Sequence, residues 1–340
     1  MRNKYRVIFK VLLRWIIPLG ISGLALWLVL RDIDFASFSQ NLMRVGWQAI
    51  LFATAAYFTS FFFRTLCWFI LLRRKVPFKD VFFTLGAGYL LNNIFPFRLG
   101  EIGRAVLLDD PDGVSGLEVL SSIVVERVFD VFLAAIFILA MLPRIFDHAF
   151  DQNIIIIVFI LAVGGLIALY LVARFRSMIS RWLSGLGRET GFIQTWLNPK
   201  LTKLMEGLSI LTHPVAFLTA FVSLTISWFL AFGQNYIIFR SLYPDPPFWW
   251  MIFVLSAAAF GAALPSAPAG WGVFEGVKVA AFALLGVNPE VALTLAIVVH
   301  LMAFVYASLI GLIGLRLRGE AVVSFYQRVI RKKPEAQLIE

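Results

Sequence analysis

NNIFPFRLGEIGRAVLL, residues 92–108, lies between apolar segments yet carries Arg98, Glu101 and Arg104 and is punctuated by Pro96, Gly100 and Gly103. A hydrophobic run interrupted by proline, glycine and charge marks a discontinuous membrane helix that faces a polar cavity, because lipid-exposed backbone cannot leave its hydrogen bonds unmade. A second interruption of the same kind, PSAPAGWG at residues 265–272, breaks an apolar stretch at about 248–285.

The composition agrees with a membrane setting. Of 340 residues, 60% are hydrophobic and 15% charged, and several apolar stretches reach the roughly 20 residues that a spanning helix needs. The fold class expected is therefore all-α, a polytopic helical membrane protein. The single cysteine, Cys67, sits in an apolar run, which argues against a disulfide framework or a thiolate metal site. The net charge of +10 does not point to nucleic acid, because the basic residues gather at the ends of apolar segments.

Taken in order, full spans are expected at about 15–30, 47–72, 119–142, 154–173, 214–239 and 291–315. The basic N-terminus with its apolar run resembles a signal peptide, but it shows no convincing small-residue cleavage site and is read as a retained first helix. Residues 174–213 interleave Arg174, Arg181, Arg188 and Lys203 with Trp182, Phe192 and Trp196, the pattern of a cytoplasmic amphipathic connector on the membrane surface. In the two broken segments each arm has about 13 to 17 residues, or roughly 20 to 25 Å of helix, against a hydrocarbon core of about 30 Å. Re-entrant hairpins are favoured on that ground, with eight or more short spans as the alternative.

Six spans with both termini in the cytoplasm put 21 of the 30 lysines and arginines on the cytoplasmic side and only Arg31, Arg44, Arg144 and Arg240 outside. That asymmetry supports a multi-pass protein of the inner, cytoplasmic membrane in this orientation. The whole chain, 1–340, reads as one transmembrane domain. Within it, 47–142 and 214–315 each read as span, broken hairpin, span. A shift of 174 residues lays Glu101 on Glu275 and Arg104 on Lys278, each pair in a Glu-x-x-basic pattern. The hairpins would enter from opposite faces, which makes an inverted repeat of the kind found in transporters.

Arg64, Arg98, Glu101, Arg104, Glu126, Arg127, Asp130, Glu275 and Lys278 fall at expected membrane depth. Each costs about 2.5 to 3.5 kcal/mol there if unpaired, so they must pair, face water or snorkel. Glu101 and Arg104 share a helix face. Glu126 and Asp130 share another and need a basic group opposite, which Arg98 or Arg104 can supply. Two readings stay open: a buried ion-pair network that pins the hairpins, or a site for a charged guest. In the second, free N–H groups at the helix start near Gly100, beside two arginines, suit a phosphate. Asn92 and Asn93 either add hydrogen bonds to that guest or cap and turn the helix. Gly270 and Gly272 allow close approach of a ligand or of another helix. Glu126, Asp130 and the mid-span His300 are candidates for a proton relay, with a structural role for the histidine as the plainer reading. Trp47, Trp249, Trp250 and Trp271 read as interfacial anchors or packing. No catalytic constellation, cofactor motif or metal-ligand spacing is visible, so the expectation is a protein without cofactor, not an enzyme.

NNIFPFRLGEIGRAVLL, ERVFDVFLAAI from Glu126 and LPSAPAGWGVFEGVKVAAFALLGV from Leu264 together resemble the flippase-like transmembrane family, also called the lysylphosphatidylglycerol synthase transmembrane region. The likeness spans nearly the whole chain. In that family, members fused to a cytosolic aminoacyl-transfer domain attach lysine to phosphatidylglycerol, and the membrane part moves the product outward. Relatives are linked to archaeal polyprenol-sugar pathways and to hopanoid lipids. The resemblance marks Asn92, Asn93, Pro96, Arg98, Gly100, Glu101, Arg104, Glu126, Arg127, Asp130, Pro265, Gly270, Gly272, Glu275 and Gly276 as motif positions. Phe97 departs from the family's small residue, which bears on headgroup fit. With no aminoacyl-transfer domain in this sequence, the resemblance implies translocation of a lipid with a charged headgroup: a phospholipid, an aminoacylated lipid or a polyprenyl-linked lipid. Membrane lipids are the expected partners, with a separately encoded lipid-modifying enzyme as a candidate and nucleic acid excluded. The alternatives are a membrane-embedded transferase acting on lipid-linked substrates and a non-catalytic partner of an export complex. The oligomeric state is left open.

Overall fold

A computed structural model describes residues 2–95, 99–110, 113–145, 152–175, 177–179, 198–262 and 264–331. Every regular element among them is a helix. The principal helices are α1 (Arg2–Leu30), α2 (Phe35–Arg44), α3 (Trp47–Leu71), α4 (Phe78–Ile94), α5 (Leu99–Leu108), α6 (Gly116–Ile145) and α7 (Gln152–Arg174). After them come α8 (Asn198–Leu208), α9 (Pro214–Arg240), α10 (Trp249–Gly261), α11 (Val273–Ala283), α12 (Pro289–Leu317) and α13 (Val322–Arg331). The protein is an all-α, polytopic membrane protein.

α3, α9 and α12 are long and apolar enough to cross a bilayer, and α1 with α2, bent by 91° between them, adds a fourth if the pair counts as one span. α6, at 30 residues, is about 45 Å long, but Glu126, Arg127 and Asp130 in its middle lower its hydropathy. α7 contributes the shorter apolar segment Phe159–Arg174. The broken segments have arms of 17 and 10 residues (α4, α5) and of 13 and 11 (α10, α11). At about 1.5 Å per residue every arm falls short of the roughly 30 Å core.

The helices pack in the same order in both halves. α3 lies along α9, α4 along α12 and α10 along α6, and α5 and α11 pack on α6 and α12 in turn. α3 and α9 are antiparallel, because Ile70 and Arg73 at the end of one lie beside Val215 and Thr219 at the start of the other. α4 and α12 are antiparallel too: Phe83 meets Gly314 and Gly86 meets Gly311, while Asn93 reaches Phe304 and Ser308.

The two broken pairs are inserted from opposite ends of this bundle. The α4–α5 pair starts and ends where Arg73 and Lys75 bind Glu118 and Arg318 donates to the Leu107 carbonyl. The α10–α11 pair starts and ends where Arg144 lies over the Trp249 ring and Phe239 stacks on Phe282. The described basic segments 73–79 and 316–331 therefore sit at one end, and Arg144 and Arg240 at the other.

Three elements lie outside the expected spans and broken segments. The polar stretch before Arg44 is helical, because Asp34 caps α2 by accepting from the N–H groups of Ala36 and Ser37. The basic tail forms α13, which buries Phe325 and Val329 against Leu91, Val106 and Leu315 and stacks Tyr326 on Phe95 at 3.8 Å. In the connector, α8 packs on α6, with Ser121 donating to the Leu204 carbonyl at 2.7 Å; residues 180–197 lie outside the described residues.

Candidate functional site

The first cluster is assembled where α5 passes α3 and α6. Gly88 and Gly100 bring the two arms of the first broken segment together. A Cβ at Gly100 would stand 1.9 Å from the Gly88 carbonyl oxygen, and one at Gly88 would stand 2.7 Å from Cγ of Arg104. That approach drives Arg104 inward, 2% exposed. Its guanidinium lies 3.7 Å from the centre of the Trp68 ring and donates to Glu126 Oε2 at 2.6 Å. Arg64, from α3, donates to Glu126 Oε1 at 3.1 Å and to Asp130. Arg127 reaches both Glu126 and Asp130 at 3.3 Å and pairs with Glu101 at 3.6 Å. Trp228, from α9, donates its indole N–H to Asp130 Oδ1 at 3.1 Å.

Three arginines thus face three carboxylates, and the described cluster is neutral. Pairing is what permits so many charges at this depth, since an isolated one would be expelled or neutralised. The pairing differs from the helix-face expectation. Glu101 and Arg104 do not bond each other; both turn across to α6, where the opposite charges stand. The outer pair is the most open: the side chains of Arg127 and Glu101 are 33% and 29% exposed, against 18% and 14% for Arg64 and Asp130, and Glu126 is fully buried.

Those open groups face a cavity of about 490 Å³ between the two broken segments. Its walls include Asn92, Asn93, Glu101, Arg104 and Arg127 on one side and Pro265, Ser266, Ala269, Gly270 and Phe274 on the other, with Pro18 of α1 at its edge. Asn92 and Asn93 also have structural roles. Asn92 Oδ1 accepts from the Gly100 N–H at 2.8 Å, so that donor is satisfied within the hairpin and is not left for a guest. Asn93 bridges to the Phe304 carbonyl at 3.1 Å and to Ser308 at 2.9 Å on α12. Arg98, with Pro96 and Phe97, lies outside the described residues.

The second cluster sits behind the opposite wall. Gly272 has φ +86, and a Cβ there would meet the Ser22 carbonyl oxygen at 2.4 Å. Glycine therefore allows the start of α11 to close on α1. Glu275 is 1% exposed and Lys278 fully buried. Glu275 accepts from the Gly272 N–H at 2.7 Å through Oε2 and meets His300 Nδ1 at 2.5 Å through Oε1. His300 Nε2 lies 3.1 Å from the Ala269 carbonyl, and Trp271 stacks on the imidazole at 4.2 Å. Trp271, half-buried, thus packs against the site. Ala269, at φ 59, holds a left-handed conformation that costs an L-residue about 1 to 2 kcal/mol, and the His300 bond helps to hold it there. Lys278 donates to Asn235 Oδ1 at 2.7 Å and lies over the Phe274 ring.

The three candidates for a proton relay therefore fall into two sites. Glu126 and Asp130 are each held by arginines, and His300 is joined to Glu275. Arg64, marked by its depth but given no partner, joins the first cluster, and Trp68, Trp228 and Asn235 belong to the two clusters although spacing did not nominate them. A polar or tryptophan side chain in the middle of an apolar span is the signal that marks such residues.

Known proteins are similar to this chain in sequence. A UPF0104 membrane protein from Methanothermobacter thermautotrophicus is 27% identical over 254 residues, covering 68% of this chain and 72% of that protein. The family model for the lysylphosphatidylglycerol synthase transmembrane region matches residues 15–311, and the chain belongs to that family.

Proposed function

We propose that this protein moves a lipid with a charged headgroup between the leaflets of the inner, cytoplasmic membrane. The headgroup crosses through the cavity between the broken segments while the acyl chains stay in the bilayer. The observation that carries this reading is the pairing of opposite charges, Arg127 and Glu101, both partly exposed on the wall of that cavity. A guanidinium suits a phosphate, and a carboxylate suits an amine. A headgroup bearing both, as a zwitterionic or aminoacylated phospholipid does, replaces the Arg127–Glu101 contact with two of its own. The fully buried members, Arg104 and Glu126, hold the wall.

The end that gathers residues 73–79 and 316–331 is assigned to the cytoplasm on the excess of basic residues there. The motion is a rocking of the two halves about the cavity, and no covalent step is involved. Reconstitution in liposomes with headgroup-labelled phospholipids tests this. Leaflet exchange is expected to accelerate for a zwitterionic or aminoacylated lipid and to fall at least about tenfold, roughly 1.4 kcal/mol, when Arg127→Gln is combined with Glu101→Gln. Exchange no faster than in empty liposomes, or full activity in the double variant, would overturn it.

A further inference from the structure

The second cluster contains a proton site that the lipid-transport reading does not use. The hydrogen bonds around His300 leave little freedom in where its protons lie. Nε2 faces the Ala269 carbonyl oxygen at 3.1 Å, and a carbonyl only accepts, so Nε2 carries a hydrogen. Nδ1 faces Glu275 Oε1 at 2.5 Å. Two heavy atoms that close, both able to accept, need a proton between them. It belongs to the imidazole if Glu275 is ionised and to the carboxyl group if His300 is neutral. In either form the Glu275–His300 dyad is neutral overall and holds one shared proton. Oε2 of Glu275 is occupied by the Gly272 N–H at 2.7 Å.

These bonds tie down both ends of one strap. Ala269 and Gly272 are anchored to the dyad through His300 and Glu275, and the strap between them has positive φ at Ala269, Gly270 and Gly272. Ala269 and Gly270 are themselves cavity wall. We propose that the Glu275–His300 dyad is a proton-binding site whose occupancy holds or releases the 267–272 wall of the cavity. With the shared proton present the strap is fastened. When that proton leaves, the imidazole keeps one hydrogen for two acceptors, Glu275 Oε1 and the Ala269 carbonyl oxygen, so one of the two contacts opens and the strap loses a tether. Glu275 then has Lys278 one turn along the same helix as its new partner; among the described residues Lys278 makes no ion pair and donates to the neutral amide of Asn235.

The neighbours are compatible with this role. Lys278 is the charged group on α11. α1 presents Ser22, α9 Asn235 and α4 Asn93, none of which titrates, and α10 presents the apolar side around Gly261 to Val277 of α11. Tyr89, Glu101, Arg104 and Arg127 face the strap from across the cavity.

A nitroxide attached to Ser266→Cys in a Cys67→Ala background, with the full chain in lipid nanodiscs, reports strap mobility independently of any lipid movement, so failure here is distinguishable from failure of the transport reading. Raising the pH from 5 to 10 is expected to give a several-fold rise in the mobile fraction through a single transition. His300→Gln, which can still donate to Ala269 but has no titrating proton, is expected to abolish the transition. Glu275→Gln, checked for a monodisperse fold by gel filtration, is expected to do the same. A wild-type spectrum that does not change with pH, or an unchanged transition in either variant, would overturn the proposal.

Discussion

The two broken segments carry the same Glu-x-x-basic pattern and build opposite kinds of site from it. At Glu101 and Arg104 the neighbours are Arg64, Glu126, Arg127 and Asp130, and the result is a neutral lattice of ion pairs. Its basic members are all guanidiniums, which keep their charge across the physiological range. At Glu275 and Lys278 the neighbours are His300 and Asn235, groups that share or exchange protons or are neutral. One half sets guanidiniums against carboxylates beside the cavity; the other sets a carboxylate against an imidazole and a lysine against a neutral amide. The same short pattern thus need not do the same chemistry, because the partner helix decides what each pair faces.

The comparison can be broken most decisively at Glu126. Glu126→Gln leaves Arg64 and Arg104 without their shared counter-charge and is expected to cost about 3 to 5 kcal/mol, measured as a lowered midpoint of denaturant unfolding in detergent. A shift below 1 kcal/mol would mean that the lattice does not hold the fold. Next comes the close approach that positions Arg104. Gly100→Ala forces a methyl group against the Gly88 carbonyl and is expected to cost about 1 to 3 kcal/mol and to disturb the cavity, whereas Gly164→Ala, with open space around it inside α7, should not lower the same midpoint and can raise it by up to about 1 kcal/mol. The smallest effect is expected in the second cluster. Lys278→Met leaves the buried Asn235 Oδ1 without its donor but also removes a buried charge, and should shift stability by no more than about 2 kcal/mol. A loss as large as that of Glu126→Gln would erase the distinction between the two sites.

Much of this was legible in the sequence. Proline, glycine and charge inside apolar runs placed both breaks, and the depth of Glu126, Arg127 and Asp130 marked a polar interior. The partners were harder to read. Arg64 and Asp130 are 66 residues apart, and no local spacing says that α3 will lie beside α6. Trp68 and Trp228 look like the other aromatic residues of their spans until a guanidinium and a carboxylate are found beside them. The Gly100 N–H, expected to face a guest, is claimed by Asn92, because a buried helix start must satisfy its donors in the resting protein. Helix α13 was hidden by its charge: its apolar residues lie between Arg316, Arg318, Arg328 and Arg331, and only the shared helical face of Phe325 and Val329 reveals that they pack.

The most direct measurement is lipid exchange across a cavity that can be tied shut. Phe95→Cys and Leu264→Cys, one on each broken segment and both on the cavity wall, are introduced with Cys67→Ala and bridged by a cleavable bis-thiosulfonate reagent in liposomes. If the headgroup passes between the segments, exchange is fast with free thiols, stops on bridging and returns on reduction. Exchange that continues unchanged when the bridge is closed would contradict it.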